Sequence, residues 1–295
     1  MNIYPFIEAE RAEHHNVARG CELLKVSKSA FYQQRNASPS ARQLRDIELK
    51  TVIVDIHTES RATYGAPRVH AELRARGIHC AKKRVARLMV QAGLIGRCRR
   101  SFRKTTIQDP TARPTAVDLI ARDFSIGEIN RRWCGDITYI QTWEGWVYLA
   151  TVIDIGSRRV VGWAIADHLR TELVSGALDM ARWHRKPDGG VIFHADRGCQ
   201  YTSKEFSELL NGNTITLSLG RRGQCWDNAV AESFFATLKG ELIDRYTWPT
   251  KSSVRTAIFD YIEGWYNLRR RHSTLGLVSP AEYETSLRGK QSTNT

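Results

Sequence analysis

The sequence has few cysteines, and their spacing suggests neither a disulfide framework nor a metal site. The six cysteines lie at positions 21, 80, 98, 134, 199 and 225, with no C-x-x-C pair among them. His14, His15 and Cys21 are too few ligands for a structural zinc site. Reduced and mostly buried thiols are therefore expected.

Long apolar runs are also lacking. No run reaches the length that a membrane-spanning helix needs, and the first ten residues lack the basic start and apolar stretch of a signal peptide. The chain of 295 residues is 42% hydrophobic and contains eight Trp, a composition that excludes a disordered protein and allows more than one domain. We expect a cytoplasmic protein with no membrane partner.

The positive charge is concentrated in the N-terminal part of the chain. The net charge is +13, and residues 1–115 hold 22 Lys and Arg against 10 Asp and Glu, whereas residues 116–295 hold 22 against 21. Such an excess is typical of a surface that neutralises nucleic-acid phosphates. A solvated basic surface without a partner would have the same composition.

Residues 1–40 are predicted to form a small helical, helix-turn-helix-like segment. Val17, Cys21 and Leu24 share one helical face, and Ser27 is placed to cap a second helix that runs towards Gln34. The Asn, Ser and Pro cluster at positions 36–40 then ends the segment.

Residues 41–96 are predicted to form a helix-turn-helix DNA-binding domain. After a helix over Leu44–His57, Pro67 suits the first turn of a helix and Gly77 its C-terminal stop. A basic helix follows, as in DNA-reading domains of this kind. Its candidate DNA-binding residues are Lys82, Lys83, Arg84 and Arg87. A helical hairpin used only for packing would have a similar pattern.

The C-terminal part of the chain has the pattern of an α/β domain. A basic linker is predicted over residues 97–117, because this stretch contains prolines and no apolar period. Strand patterns follow at 134–140, 147–154, 159–166, 191–196 and 214–219, and helix patterns at 171–185, 203–210, around Glu232 and at 252–269. This order predicts a mixed five-stranded sheet with helices on both faces, over residues 118–285. Residues 286–295 are predicted to be a disordered tail.

Three carboxylates are the candidate catalytic and metal-binding residues. Asp136 lies within the first strand, Asp196 closes the fourth, and Glu232 lies on a helix. A carboxylate in an apolar segment is costly unless it is paired or holds a metal. If strands one and four are neighbours, Asp136 and Asp196 meet at one edge of the sheet. Oxygen ligands suit Mg²⁺ or Mn²⁺, and two such ions can cut and join phosphodiesters.

Lys239 and two further carboxylates are secondary candidates. Lys239 follows Glu232 by two helical turns, so it is expected on the same helical face, where it could bind a phosphate. A solvated surface lysine would have the same spacing. Asp154 is expected to cap the turn at Gly156, and Asp227 is either the N-cap of the Glu232 helix or part of the site.

Together these segments resemble insertion-sequence transposases of the IS3 group, in particular the protein of the second reading frame, and more distantly retroviral integrases. The matching segments are Trp133–Ile140, Tyr148–Asp154, Ser157–Trp163, His194–Tyr201, Asp227–Ser233 with Leu238 and Lys239, Tyr266-Asn, Arg271-His and Leu275-Gly, and upstream Val26–Tyr32 and Tyr64–Val69. The 35 residues between Asp196 and Glu232 are the interval characteristic of the family. The resemblance covers nearly the whole chain.

The resemblance implies a ribonuclease-H-like core in which Asp136, Asp196 and Glu232 are the metal ligands and Lys239 is the basic residue of the family. It implies DNA cleavage and strand transfer with Mg²⁺ or Mn²⁺, on transposon ends and target DNA. A homo-oligomer is expected, because two ends are held together during joining. The family enzyme is often a frameshift fusion with an upstream helix-turn-helix protein, so such a partner and a location at the bacterial nucleoid are expected.

Two other hypotheses fit part of the sequence. A catalytically silent, domesticated DNA-binding regulator would keep the fold, but three intact carboxylates argue against it. A stand-alone nuclease, such as a ribonuclease H or a junction resolvase, would share the fold class. Such a nuclease would have no need for the basic helical residues 1–115.

Overall fold

The computed structural model describes residues 3–36, 38–97, 118–212, 215–220 and 228–292. The chain divides into two compact units, residues 1–55 and 56–295. The helices of the first part are α1 (Ile3–Ala12), α2 (Val17–Leu23), α3 (Lys28–Arg35) and α4 (Ala41–Glu59). The division between the units falls inside α4, and the domain boundaries expected from composition stay predictions. Most of the expected basic linker, residues 98–117, lies outside the described residues.

A small apolar cluster holds the first three helices together. Ile7, Cys21 and Phe31 are buried, one from each helix. Ser27 caps α3 as predicted, its hydroxyl oxygen accepting a hydrogen bond from the Ala30 N–H at 3.3 Å. Helix α1 was not predicted, although its buried Ile7 explains why this segment is ordered.

The second unit begins with the basic helical hairpin. Its helices are α5 (Ala66–Ala75) and α6 (Lys82–Gln91). Pro67 lies in the first turn of α5, and Gly77, two residues beyond its end, has φ of +77°, as the predicted stop requires. On α6, Val85, Leu88 and Met89 are buried. Burial of one side leaves the opposite side of α6 available to a ligand.

The predicted five-stranded sheet is present. Its strands are β1 (Arg132–Thr142), β2 (Gly145–Asp154), β3 (Val160–Ala166), β4 (Val191–Ala195) and β5 (Ile215–Leu219), in the spatial order β3-β2-β1-β4-β5. β1 pairs antiparallel with β2 and parallel with β4. The last six residues of β2 are all buried, as expected for a strand covered on both faces.

Helices cover the sheet on both sides. They are α7 (Thr171–Arg185), α8 (Lys204–Asn211), α9 (Ala229–Glu241), α10 (Lys251–Phe259) and α11 (Pro280–Ser292). Helices α7 and α8 contribute Leu178 and Phe206 to the main core, where they pack with Trp133 of β1 and Val152 of β2. In the described residues, no helix combines the length and apolar composition needed to cross a bilayer.

The structure corrects two predictions for the C-terminal part, one in the winding of a helix and one in the extent of order. The helix expected over 252–269 changes at Asp260 from α10 to a π-helical segment, Asp260–Tyr266. This wider winding buries Tyr261, Ile262, Trp265 and Tyr266 together. The tail expected to be disordered from residue 286 is helical through Ser292, because α11 continues to that residue.

A buried polar network explains why α11 is ordered. Glu284 accepts hydrogen bonds from both terminal nitrogens of Arg185 at 2.8 and 2.7 Å and from the Ser157 hydroxyl at 2.7 Å. Asp154 belongs to the same network: its carboxylate accepts the N–H groups of Ser157 at 2.9 Å and Asn130 at 2.6 Å. The structural role predicted for Asp154 is therefore confirmed.

Polar contacts join the helical hairpin to residues 269–271, about 200 positions further along the chain. The Tyr64 hydroxyl accepts the Arg271 N–H at 2.7 Å and donates to the Arg269 carbonyl at 3.2 Å. Arg271 also donates its Nε–H to Glu72 of α5 at 2.6 Å. These contacts fix α5 to the segment that follows the π-helical turn.

Candidate active site

The strand register places Asp136 and Asp196 side by side. In the parallel pair of β1 and β4, Cys134 is opposite His194. Asp136 lies two residues beyond Cys134 and Asp196 two residues beyond His194, so both carboxylates lie at the same level on neighbouring strands. Strands one and four are therefore neighbours, which is the condition under which the two carboxylates were expected to meet. Asp136 is half-buried, and Asp196, directly after β4, is exposed.

Glu232 approaches from the helix that packs on β1. It is exposed in the first turn of α9. The start of this helix is held to β1 by Asn228, whose side-chain N–H donates to the Gly135 carbonyl at 3.0 Å. Because Gly135 precedes Asp136, this hydrogen bond fixes the helix next to the first carboxylate. Asp227, the other candidate near this helix, lies outside the described residues.

The electrostatics of Asp136 show that the three carboxylates are close enough to interact. The pKa of Asp136 is raised to about 7, chiefly by burial; the hydrogen bond from the Ile137 N–H opposes this rise, and the negative charges of Asp196 and Glu232 contribute to it. Burial, and then the negative charges of Asp136 and Asp196, raise the pKa of the neighbouring Tyr201. A cation placed between these carboxylates would relieve their repulsion.

Lys239 is a cation already beside this cluster. Its positive charge favours ionisation of Asp136 and so lowers the pKa of that carboxyl. Its amino group lies 5.5 Å from the centre of the Tyr139 ring, within the range of a cation–π contact. The structure therefore places Lys239, Glu232 and Asp136 around the same edge of the sheet.

The carboxylate cluster is open rather than tightly formed. Among the described residues, one group of three potential metal-binding side chains has ligand atoms that all lie within 4.8 Å of one another. This group is Glu10, Glu13 and His15. These three lie near the end of α1 and are mostly exposed, as acidic surface clusters commonly are. The oxygens of Asp136, Asp196 and Glu232 do not all lie within this limit of one another.

Asn228 is the neighbour of the site that sequence reasoning missed. It is buried, and among the described residues none donates a hydrogen bond to its Oδ1 atom. Its position four residues before Glu232, at the start of the helix, was the available signal. The candidate DNA-binding residues lie elsewhere, on α6: Lys82, Lys83 and Arg87 are exposed and Arg84 is half-buried.

Comparison with known proteins is consistent with this architecture. Two family models described as integrase core domains match residues 128–225 and 213–280, and one described as an HTH-like domain matches residues 43–102. The sheet and these matches confirm the predicted ribonuclease-H-like fold. The class is that of the DDE-type polynucleotidyl transferases, enzymes that cut and join DNA strands.

Relatives that match nearly the whole length of the chain identify the family within this class. The chain is 38% identical over 283 residues to the transposase InsF for insertion sequence IS3A of Escherichia coli (strain K12), covering 95% of this chain and 98% of that protein. It is 36% identical over 263 residues to an insertion element IS600 uncharacterized 31 kDa protein of Shigella sonnei, covering 89% and 96%. The chain belongs to the IS3 family of transposases.

The chain also has a weaker similarity to a solved structure. The simian T-cell lymphotropic virus intasome in complex with PP2A regulatory subunit B56 gamma matches with a TM-score of 0.44 and 15% identity, covering 78% of this chain and 73% of that chain. As a family member, the protein catalyses DNA transposition and binds DNA. The comparisons give no support to the silent-regulator hypothesis.

Proposed function

We propose that Asp136, Asp196 and Glu232 are the catalytic carboxylates and hold Mg²⁺ or Mn²⁺, as two ions, for cleavage and strand transfer at insertion-sequence ends. The observation that carries this proposal is the parallel register of β1 and β4, which puts Asp136 and Asp196 at the same level on neighbouring strands, beside the helix start that Asn228 ties to Gly135. Repulsion among ionised carboxylates is the condition that divalent-cation binding removes.

The donor set fits this kind of metal. All three side chains offer carboxylate oxygens, which Mg²⁺ and Mn²⁺ prefer, and the cluster contains no thiolate ligand. The buried Oδ1 of Asn228 is a further oxygen near the start of α9 without a donor among the described residues. When bound, the cations supply activation of a water or 3′-hydroxyl nucleophile and stabilisation of the leaving oxygen.

The remaining groups position the DNA. Lys239 provides a positive charge on the same helix as Glu232, where a phosphate next to the scissile bond would be held. Asn228 positions Glu232 by tying the start of α9 to β1. On α6, the residues proposed to contact DNA phosphates and bases are Lys82, Lys83, Arg84 and Arg87.

The proposal includes partners beyond a single DNA molecule. Transposon ends and target DNA must be held together during joining, which supports a homo-oligomer of this chain. An upstream-frame helix-turn-helix protein, separate or fused by frameshifting, is the proposed source of further end recognition. A protein that binds DNA throughout its reaction cycle is expected at the bacterial nucleoid. Sequencing the DNA that flanks the gene would reveal the inverted repeats and any overlapping upstream frame.

The catalytic proposal is tested with the terminal sequences obtained in that way. Glu232→Gln removes one charge from an exposed side chain, so folding and DNA binding should be retained. We expect strand transfer in Mg²⁺ to fall at least about 100-fold, equivalent to about 3 kcal/mol of lost transition-state stabilisation. Unchanged joining by Glu232→Gln, with any upstream partner present, would show that the assignment is wrong.

A matched control separates this effect from a general loss of charge. Glu205 is exposed in the first turn of α8, as Glu232 is in the first turn of α9. Glu205→Gln should therefore join DNA at the wild-type rate. A second readout is thermal unfolding with and without Mg²⁺, because a ligand that binds only the folded protein raises its melting temperature. The wild type should show this rise, and Glu232→Gln should show less.

A further inference from the structure

The hairpin formed by β1 and β2 carries large aromatic side chains that are exposed to solvent. Tyr139, Trp143 and Trp146 are 60%, 75% and 45% exposed. We refer to these three residues as the aromatic platform. Exposed aromatic clusters of this kind on a folded protein mark a surface that binds a ligand or a macromolecular partner. Tyr139 lies on β1, the strand that carries Asp136, whereas Trp143 follows β1 in the hairpin turn and Trp146 lies at the start of β2.

The antiparallel register brings two of these rings together. Tyr139 is opposite Tyr148, and Trp146 is opposite Gln141, so Tyr139 and Trp146 are diagonal neighbours on one face of the hairpin. Their ring centres are 5.3 Å apart with an interplanar angle of 83°. Each side chain is nevertheless largely exposed, so the pair does not shield itself from water.

The tip of the hairpin is held in place by hydrogen bonds to a neighbouring segment. The Trp143 N–H donates to the Trp248 carbonyl at 3.1 Å. The carboxylate of Glu144 accepts the Lys251 N–H at 2.7 Å. The platform is therefore preorganised, and a ligand would not have to bear the entropic cost of ordering the hairpin.

The platform is continuous with the candidate site through Lys239. This amino group lies 5.5 Å from the centre of the Tyr139 ring and also acts electrostatically on Asp136. Along the strand, Tyr139 is three residues from Asp136, a separation of about 10 Å, and the two side chains leave β1 on opposite faces. Lys239 is the group that acts on both. A DNA strand whose phosphate lies at Lys239 would thus place bases only a few nucleotides from that phosphate against the aromatic rings.

We propose that the aromatic platform stacks on unpaired bases of the DNA strand next to the cleaved phosphodiester. Inside a duplex a base presents its edges, and its faces are covered by the neighbouring bases, so a ring can stack only on a base that has left the helix. The cation at Lys239 complements the adjacent phosphate. The location near the cut rests on the proposed function, whereas stacking itself can be measured without cleavage.

The test measures binding to two DNA probes in the absence of divalent metal. The full-length protein is titrated against a labelled single-stranded deoxythymidine oligomer of about 12 nucleotides, and against a duplex of the same length, with fluorescence anisotropy as the readout. Trp146→Ala and Trp143→Ala should each weaken binding to the single strand about tenfold. Binding to the duplex should change less than about twofold, because the phosphate contacts are retained.

Two variants make the result specific to this surface. Trp183 on α7 is also 75% exposed and lies outside the platform, so Trp183→Ala should leave single-strand binding unchanged. Tyr139→Phe keeps the aromatic ring and should retain wild-type binding, whereas Tyr139→Ala should not. Far-ultraviolet circular dichroism and thermal unfolding confirm that each variant is folded.

Several results would overturn the proposal. One is unchanged single-strand affinity in folded Trp146→Ala and Tyr139→Ala. Another is an equal loss in Trp183→Ala, or an equal loss for duplex and single strand. A change in sedimentation from dimer to monomer with unchanged single-strand affinity would show that the surface contacts a second copy of the chain. Because no cleavage is involved, unchanged joining by Glu232→Gln, which would overturn the proposed catalytic site, would leave this binding result unaffected.

Discussion

Arg270 and Glu241 form a two-pronged ion pair inside the protein. The Arg270 Nη2 donates to one carboxylate oxygen at 2.7 Å and its Nε to the other at 2.9 Å, and both side chains are buried. The Tyr261 hydroxyl donates to the same carboxylate at 2.9 Å. Glu241 ends the helix that carries Glu232 and Lys239, so this pair anchors the C-terminal end of α9.

Removing one partner of this pair should be costly. Arg270→Met leaves buried Glu241 with the more distant Arg68, 3.8 Å away, as its cation, and Glu241→Leu leaves buried Arg270 without its carboxylate. We expect the free energy of unfolding to fall by about 3–5 kcal/mol in each case. The double variant removes both charges and should lose less than either single variant. Urea denaturation measures the free energy of unfolding of the wild type, the two single variants and the double variant, which together form a double-mutant cycle. Additive losses in the double variant would contradict the coupling.

Glu284 predicts how stability depends on pH. Burial opposes its ionisation, but hydrogen bonds from Arg185 and then from Ser157 hold the pKa of Glu284 below its usual value of 4.5. The unfolded chain therefore takes up this proton more readily than the folded protein. The stabilisation is fully present above about pH 4.5 and is lost as the pH falls through the lower folded pKa.

The variant Glu284→Gln isolates this contribution. In urea denaturation at a series of pH values, wild type should exceed Glu284→Gln in stability by a constant amount between about pH 6 and 8. This difference should shrink below about pH 4, because the wild-type carboxyl becomes neutral there. A difference that is independent of pH would mean that ionised Glu284 does not stabilise the fold.

Gly162 of β3 allows α7 to pack directly on the sheet. A Cβ at this position would lie 2.1 Å from the Ala177 carbonyl oxygen and 2.6 Å from the Ala181 nitrogen, both backbone atoms. We expect Gly162→Ala to lower the free energy of unfolding by about 3 kcal/mol or more, since the helix must move away. Chemical denaturation measures this loss.

Gly176 is the matched control for this prediction. It lies on α7, where an added Cβ would be 3.5 Å from the Ala164 Cβ of β3, an ordinary contact. Gly176→Ala should be neutral or stabilise by up to about 1 kcal/mol, because alanine favours the helix. Equal losses in the two alanine variants would show that the tight contact at Gly162 is not the cause.

The basic side of α6 predicts a salt-dependent contribution to DNA binding. Lys82→Ala and Lys83→Ala should each weaken binding by a similar factor on every duplex sequence and reduce the slope of log affinity against log salt by about 1. Lys204 on α8 is exposed and paired with Glu208 at 3.6 Å, so Lys204→Ala is the control. Unchanged slopes in both α6 variants would assign DNA contact to another surface.

Much of the fold followed from local pattern. The helix expected over 171–185 is observed as Thr171–Arg185, because the apolar positions recur with helical spacing and the flanking segments break it. The strands were predicted within a few residues for the same reason. The π-helical turn was not predicted, since its winding depends on burying Tyr261 and Tyr266 against groups distant in the chain.

The sequence alone was sufficient to select Asp136, Asp196 and Glu232 as candidates. A carboxylate within or beside an apolar strand is costly unless it is paired or holds a metal, and local structure provides neither. The meeting of the first two required the parallel pairing of β1 with β4. The anchoring of Glu232 required the Asn228 contact with Gly135, 93 residues away. The ordered α11 depends on Glu284 reaching Arg185, 99 residues away. Such contacts join side chains with no local periodicity in common, so packing between distant segments decides them.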